Sequence, residues 1–166
     1  MGSFVHSYRH SVMLLALSKL DISSISSTAK SLSKSHNVIQ IFDPSKIINR
    51  IHLDAAYLNA VEAFEEHTNS SNSLSTEMLL FAAFTSQITI AIDKVGAKDN
   101  MNFLLFCSNI SAFKQLSNTM PITKIKEFRH SPEQMHKIAR TFKIFAKDLK
   151  GIDYAIMQRM ALSKLE

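Results

Sequence analysis

Apolar residues dominate one stretch of the chain, Leu74 to Gly96, LSTEMLLFAAFTSQITIAIDKVG. Leu80, Phe84, Ile88, Ala91 and Val95 recur at helical spacing, and Leu79, Phe81, Ala83, Ile90 and Ile92 make most of the remaining surface apolar. A helix of that kind belongs inside a domain, with other elements packed around it. Glu77, Gln87, Asp93 and Lys94 interrupt the run, so a buried core element fits better than a membrane span. Ser73 or Ser75 is placed to cap its start and Gly96 to stop it. Phe84-Thr85-Ser86-Gln87 predicts a break into two helices, because Thr and Ser bond the local backbone.

The clearest amphipathic helix precedes it. Leu53, Ala56, Tyr57, Ala60, Val61 and Phe64 form one face, while Asp54, Glu62, Glu65 and Glu66 occupy the other. Asn37 to Phe42 reads as a strand ended by the turn residues Asp43-Pro44-Ser45. Met101 to Cys107 reads as a central strand, and 121–128 as an edge strand at best. A short strand is expected over 3–8, an apolar helix over 11–20, and a short helix over 111–116. The Ser-rich stretch 21–37 is expected to be the most mobile part, with a helix on Ile22, Ile25, Ala29 and Leu32.

Ser131-Pro132-Glu133 is a strong helix start, followed by a stripe of Met135, Ile138, Ala139, Phe142, Ala146 and Leu149 that Gly151 ends or kinks. A final helix carries Ile152, Ala155, Ile156 and Met160 on one face. Together these elements predict a single α+β domain spanning 1–166. It is an α/β sandwich in which one small mixed or antiparallel sheet of three to four strands is covered by about six helices.

Composition narrows the function classes. The net charge of +5 is unevenly spread: Lys and Arg against Asp and Glu run six to two over 1–50, two to seven over 51–100, and eleven to five over 101–166. Arg140, Lys143 and Lys147 fall at a spacing that puts them on one helix face, a stripe suited to phosphate. A lone cysteine, Cys107, sits in an apolar run and is expected to be an inert buried thiol, and the absence of disulfides fits a reducing, cytoplasmic setting. VMLLAL is short and lacks a cleavage site, so no signal peptide is expected.

Catalytic motifs are missing. There is no phosphate-cradling glycine loop or nucleophile elbow, and the seven histidines show no metal-ligand spacing, so neither metal nor cofactor is expected. Surface or capping roles are expected for those histidines. His52, Asp54 and Glu77 are the residues from which a small acid-base enzyme would have to be assembled.

One order of residues is distinctive: Asp43, His52-Leu53, Ala56, Ala60, Ala63, Glu77-Met78-Leu79-Leu80, Gln87-Ile88, Ala91-Ile92 and Gly96, then Arg159-Met160-Ala161-Leu162 near the end. It resembles the CGI-type regulatory subunit of the KEOPS (EKC) complex. The resemblance implies a non-enzymatic protein that binds the small Rio-type kinase/ATPase subunit and recruits tRNA by its 3′ CCA end. The complex then forms threonylcarbamoyl-adenosine, with the transfer done by another subunit. It implies kinase contacts from the C-terminal helix, at Ile156, Met157, Met160, Leu162 and Leu165. It also suggests tRNA contacts at Thr85, Ser86, Gln87 and Lys98, with Arg140, Lys143 and Lys147 steering phosphate. Archaeal members often carry a small residue, Gly, any residue and Arg before Gln-Ile; here those positions are Ala83, Phe84, Thr85 and Ser86. The missing arginine leaves open a subunit that binds the kinase without tRNA.

Overall fold

The computed structural model describes residues 14–18, 38–98, 102–119, 122–125 and 128–163. The expected strand over 3–8 and the Ser-rich stretch lie outside these residues. Four strands form one antiparallel sheet: β1 (Leu14–Ser18), β2 (Ile39–Phe42), β3 (Phe103–Cys107) and β4 (Thr123–Ile125), in the order β2-β3-β1-β4. β4 is indeed an edge strand. Against expectation, the apolar run at 11–20 supplies a strand and not a helix. Its backbone pairs on both sides, Leu14 to Ser18 with Cys107 to Phe103 and Leu15 to Leu17 with Ile125 to Thr123. Two ladders of backbone hydrogen bonds outweigh the modest helix preference of Leu and Ala.

Six α-helices surround the sheet among the described residues: α1 (Arg50–Glu65), α2 (Leu74–Ala83), α3 (Ile88–Val95), α4 (Ile110–Thr119), α5 (Pro132–Thr141) and α6 (Leu149–Ser163). β3 is buried on both faces and alternates between two cores. Leu104 and Phe106 join Val38, Phe42 and the inner faces of α1, α2, α5 and α6, whereas Phe103, Leu105 and Cys107 pack with Ile39, Ile41 and the α4 residues Ala112, Phe113 and Leu116. Cys107 is fully buried; burial raises its thiol pKa, and Sγ donates to the Asn109 carbonyl at 3.1 Å. The expected burial of this thiol is observed.

The long apolar run breaks where Thr and Ser suggested. α2 and α3 meet at 66°, and Ser73 is the cap, its hydroxyl accepting from the Thr76 amide. The two halves differ in burial. Every residue of α2 from Glu77 to Ala83 is buried, but α3 buries only Ala91 and Val95 and leaves Ile88, Ile90 and Ile92 at the surface. Gly96 stops α3 with an ordinary negative φ. A Cβ there would lie 2.5 Å from the Ile92 carbonyl oxygen, so close approach requires the glycine.

Three helices instead end on side-chain-bearing residues in the left-handed region, His67, Phe84 and Lys143. Each occupies the same place in a Schellman ending: Thr68 N–H donates to Ala63, Thr85 to Leu80 and Ile144 to Ala139. The third ending overturns the expectation of one helix running through Leu149. α5 stops at Thr141, and Asp148 starts a new helix by accepting from the Gly151 amide at 2.7 Å. Gly151 therefore lies in the first turn of α6 rather than at the end of α5. Arg140, Lys143 and Lys147 do not share a helix face.

His67 is exposed and tests the backbone cost alone. His67→Gly should raise the unfolding free energy by about 1 kcal/mol, read from the urea midpoint. Phe84→Gly should lower it by about 2 kcal/mol, because the buried ring is lost with the strain.

Candidate functional site

α1 and α6 lie side by side and run parallel. Asn49, the cap of α1, donates from Nδ2 to Asp153 Oδ1 at 2.6 Å near the start of α6, and the far ends of both helices border one groove. That groove, about 310 Å³, is lined by Glu66, Thr68, Ser70, Glu77, Thr85, Ser86 and Ser163 over a floor of Leu80 and Phe81. Two acids, Glu66 and Glu77, border it, and among the described residues no Lys or Arg lines it.

Glu77 is 3% exposed. Its carboxylate accepts the Ser70 amide at 3.0 Å and the Ser71 amide at 2.8 Å, which pins the loop between α1 and α2. His52 is wholly buried elsewhere. Nε2 donates to the Ala82 carbonyl at 2.8 Å and Nδ1 accepts the Ile48 amide at 3.2 Å, so both ring nitrogens are spent on backbone. The ring stacks on Phe84 at 5.2 Å and meets Phe142 edge-on at 5.5 Å. Burial drives its pKa down to about 4. The expectation that this histidine faces water fails, because it ties the start of α1 to the end of α2. Asp54 projects from the other side of α1, ion-paired to Arg50 at 3.4 Å, with burial raising its pKa against that partner's opposing charge. His52, Asp54 and Glu77 are thus held apart, and no proton-transfer site is built from them. Among the described residues no cluster of His, Cys, Asp or Glu is arranged to hold a metal.

The residues expected to contact tRNA lie in three places. Thr85 is half-buried and Ser86 exposed, both on the acidic groove; Gln87 is exposed and precedes α3 without a side-chain cap bond. Lys98 does not join them. It is exposed beyond the opposite end of α3, a helix of 8 residues spanning about 12 Å. Lys94 is the cation at this junction, its Nζ donating to the Ala83 carbonyl at 3.3 Å. Arg140, Lys143 and Lys147 are all exposed along the end of α5 and its connection to α6.

On α6, Ile156 and Met160 are fully buried in the core together with Ile152. These two are corrected as partner contacts, since the inward face of α6 is already satisfied by α1 and α2. Met157 and Leu162 are exposed at 49% and 52%, and Leu165 lies outside the described residues. Tyr154, overlooked in the sequence, is exposed at 61%. Its spacing to Met157, Ala161 and Leu162 is that of a helix face, so the outward side of α6 carries an exposed apolar stripe.

A family model described as "Kinase binding protein CGI-121" matches residues 20–164. The chain belongs to this family. Comparison with curated proteins finds no match. The CGI-121 match runs from the Ser-rich stretch to the last turn of α6, so it takes in the groove, the basic connection and the apolar stripe. CGI-121 proteins are kinase-binding proteins by description.

The His52 tie makes stability pH-dependent. Its folded pKa of about 4 lies below the unfolded 6.5, so unfolding takes up a proton between those values. The contribution is full above pH 6.5 and falls by up to about 3 kcal/mol as the pH drops to 4. His52→Gln should show a shallower fall over that window in denaturant titrations; an equal slope would assign the pH dependence to other groups.

Proposed function

We propose that the chain is a non-catalytic regulatory subunit of a cytoplasmic KEOPS-type complex, binding the small Rio-type kinase/ATPase subunit through the outer face of α6. The observation that carries this reading is the exposed apolar stripe Tyr154, Met157, Ala161 and Leu162 in a member of a kinase-binding family. Interfaces are enriched in Tyr and Met over the rest of the surface, and Met adapts its shape to a partner. Leu58 on the neighbouring α1, 49% exposed, adds apolar area on a helix packed beside α6.

The second half of the proposal is recruitment of tRNA by its 3′ CCA end, for threonylcarbamoyl-adenosine formation by a transferase subunit reached through the kinase. Exposed Arg140, Lys143 and Lys147 support it. The groove at Thr85 and Ser86 does not, because Glu66 and Glu77 border it and the family's frequent arginine is Ser86 here. We therefore place the phosphate contacts on the connection between α5 and α6. Kinase binding without tRNA remains the rival reading that the acidic groove favours.

Co-purification with the kinase subunit tests the first half. Tyr154→Ala with Met157→Ala should weaken kinase binding by about 2–4 kcal/mol, while circular dichroism stays that of the native fold. Charge reversal of Arg140, Lys143 and Lys147 should leave kinase binding unchanged and weaken tRNA binding, with a flatter salt dependence. Undiminished kinase binding in the first variant would remove α6 from the interface.

A further inference from the structure

The segment from Phe142 to Lys147 is the feature that kinase docking leaves unused. Burial alternates along it. Phe142 and Ile144 are 6% and 4% exposed, and Ala146 packs against the same core, whereas Lys143, Phe145 and Lys147 point outward. Phe145 is 76% exposed, more than any other large apolar residue among those described.

An exposed phenylalanine in a loose loop would mean little, but this one is held. The Schellman bonds from Lys143 to Arg140 and from Ile144 to Ala139, both 3.0 Å, fix one side. On the other side Asp148 caps α6, and Gly151 lies so close that a Cβ would sit 3.1 Å from that of Ala146. The ring is therefore presented by a segment anchored at Phe142, Ile144 and Ala146.

Its surroundings select the partner. Lys143 and Lys147 are both exposed, two residues to either side of Phe145 in the chain. Arg140 is exposed one turn earlier, at the end of α5. Asp148 is the acid next to Lys147, and its carboxylate already accepts the Gly151 amide. Glu133 is at the far end of α5.

An aromatic face between two cations suits an unpaired base with its flanking phosphates. A protein-docking patch tends instead to be depleted in lysine. We propose that Lys143, Phe145 and Lys147 form a platform for single-stranded nucleic acid: one unpaired base stacks on Phe145 while the two lysines neutralise the phosphates beside it. This deepens the tRNA half of the proposed function and rests on it, but it assigns a stacking residue and moves the unpaired nucleotides away from the groove.

The test uses the full chain and a fluorescently labelled, unpaired eight-nucleotide RNA, followed by anisotropy over a salt series. A blunt hairpin without unpaired nucleotides, intact tRNA and phosphatidylserine vesicles serve as comparison probes. The unpaired RNA should bind more tightly than the blunt hairpin. Phe145→Ala should weaken RNA binding about ten- to a hundredfold, and Phe145→Trp should retain it. Lys143→Gln with Lys147→Gln should lower the salt slope by about 1.4, from about 0.7 per phosphate contact on a single strand.

Unchanged RNA affinity in Phe145→Ala, with tRNA still bound, overturns the platform and leaves tRNA recruitment standing. Failure of the unaltered chain to bind any RNA overturns both, while kinase co-purification reports on the other half independently. Vesicle binding that depends on Phe145, or loss of the kinase in Phe145→Ala without loss of RNA, would overturn the platform in favour of a membrane or protein contact.

Discussion

The fold turns on a neutral imidazole in a dry place. His52 reaches from the first turn of α1 to the Ala82 carbonyl near the end of α2 and back to the Ile48 amide. Its ring is enclosed by Phe84 and Phe142, which are also 5.1 Å from each other. Three helix ends are drawn together by one side chain with two polar atoms and an apolar body. Buried backbone groups left without such a partner would each cost about 1–3 kcal/mol. Phe84 holds its place despite a positive φ. The ring's contacts offset a backbone conformation that glycine adopts without strain.

Much of this was legible in the sequence, because most elements carry one dominant signal. α1 has a strict apolar spacing, α2 and α3 are divided by Thr and Ser, and α5 begins with Ser131-Pro132. The failures have two causes, one distant in sequence and one local. β1 reads as a helix because Leu and Ala suit one, and its strand pairing comes from residues some 90 and 110 positions away. The end of α5 reads as continuous because its left-handed residue is Lys143 and no glycine marks the stop.

The candidate surfaces were legible to a lesser degree. Which side of α6 faces outward depends on where α1 lies, so periodicity found the helix but mixed Ile156 and Met160 with Met157 and Leu162. Phe145 was hidden for a related reason. A helix drawn through 142–149 makes it one more apolar residue near a stripe, while the observed break turns it away from the core. In the C-terminal third, exposed cations and exposed aromatic residues coincide.

The parallel run of α1 and α6 has an electrical consequence. Antiparallel neighbours largely cancel their macrodipoles, but here two helices of 16 and 15 residues end at the same groove. Each contributes a partial negative charge of roughly half an electron at its last carbonyls, added to the carboxylates of Glu66 and Glu77. Their opposite ends, beside Asn49 and Asp153, carry the matching positive potential. The domain is thus polarised along the α1–α6 pair, and the field at the groove favours an ammonium or guanidinium group over a phosphate.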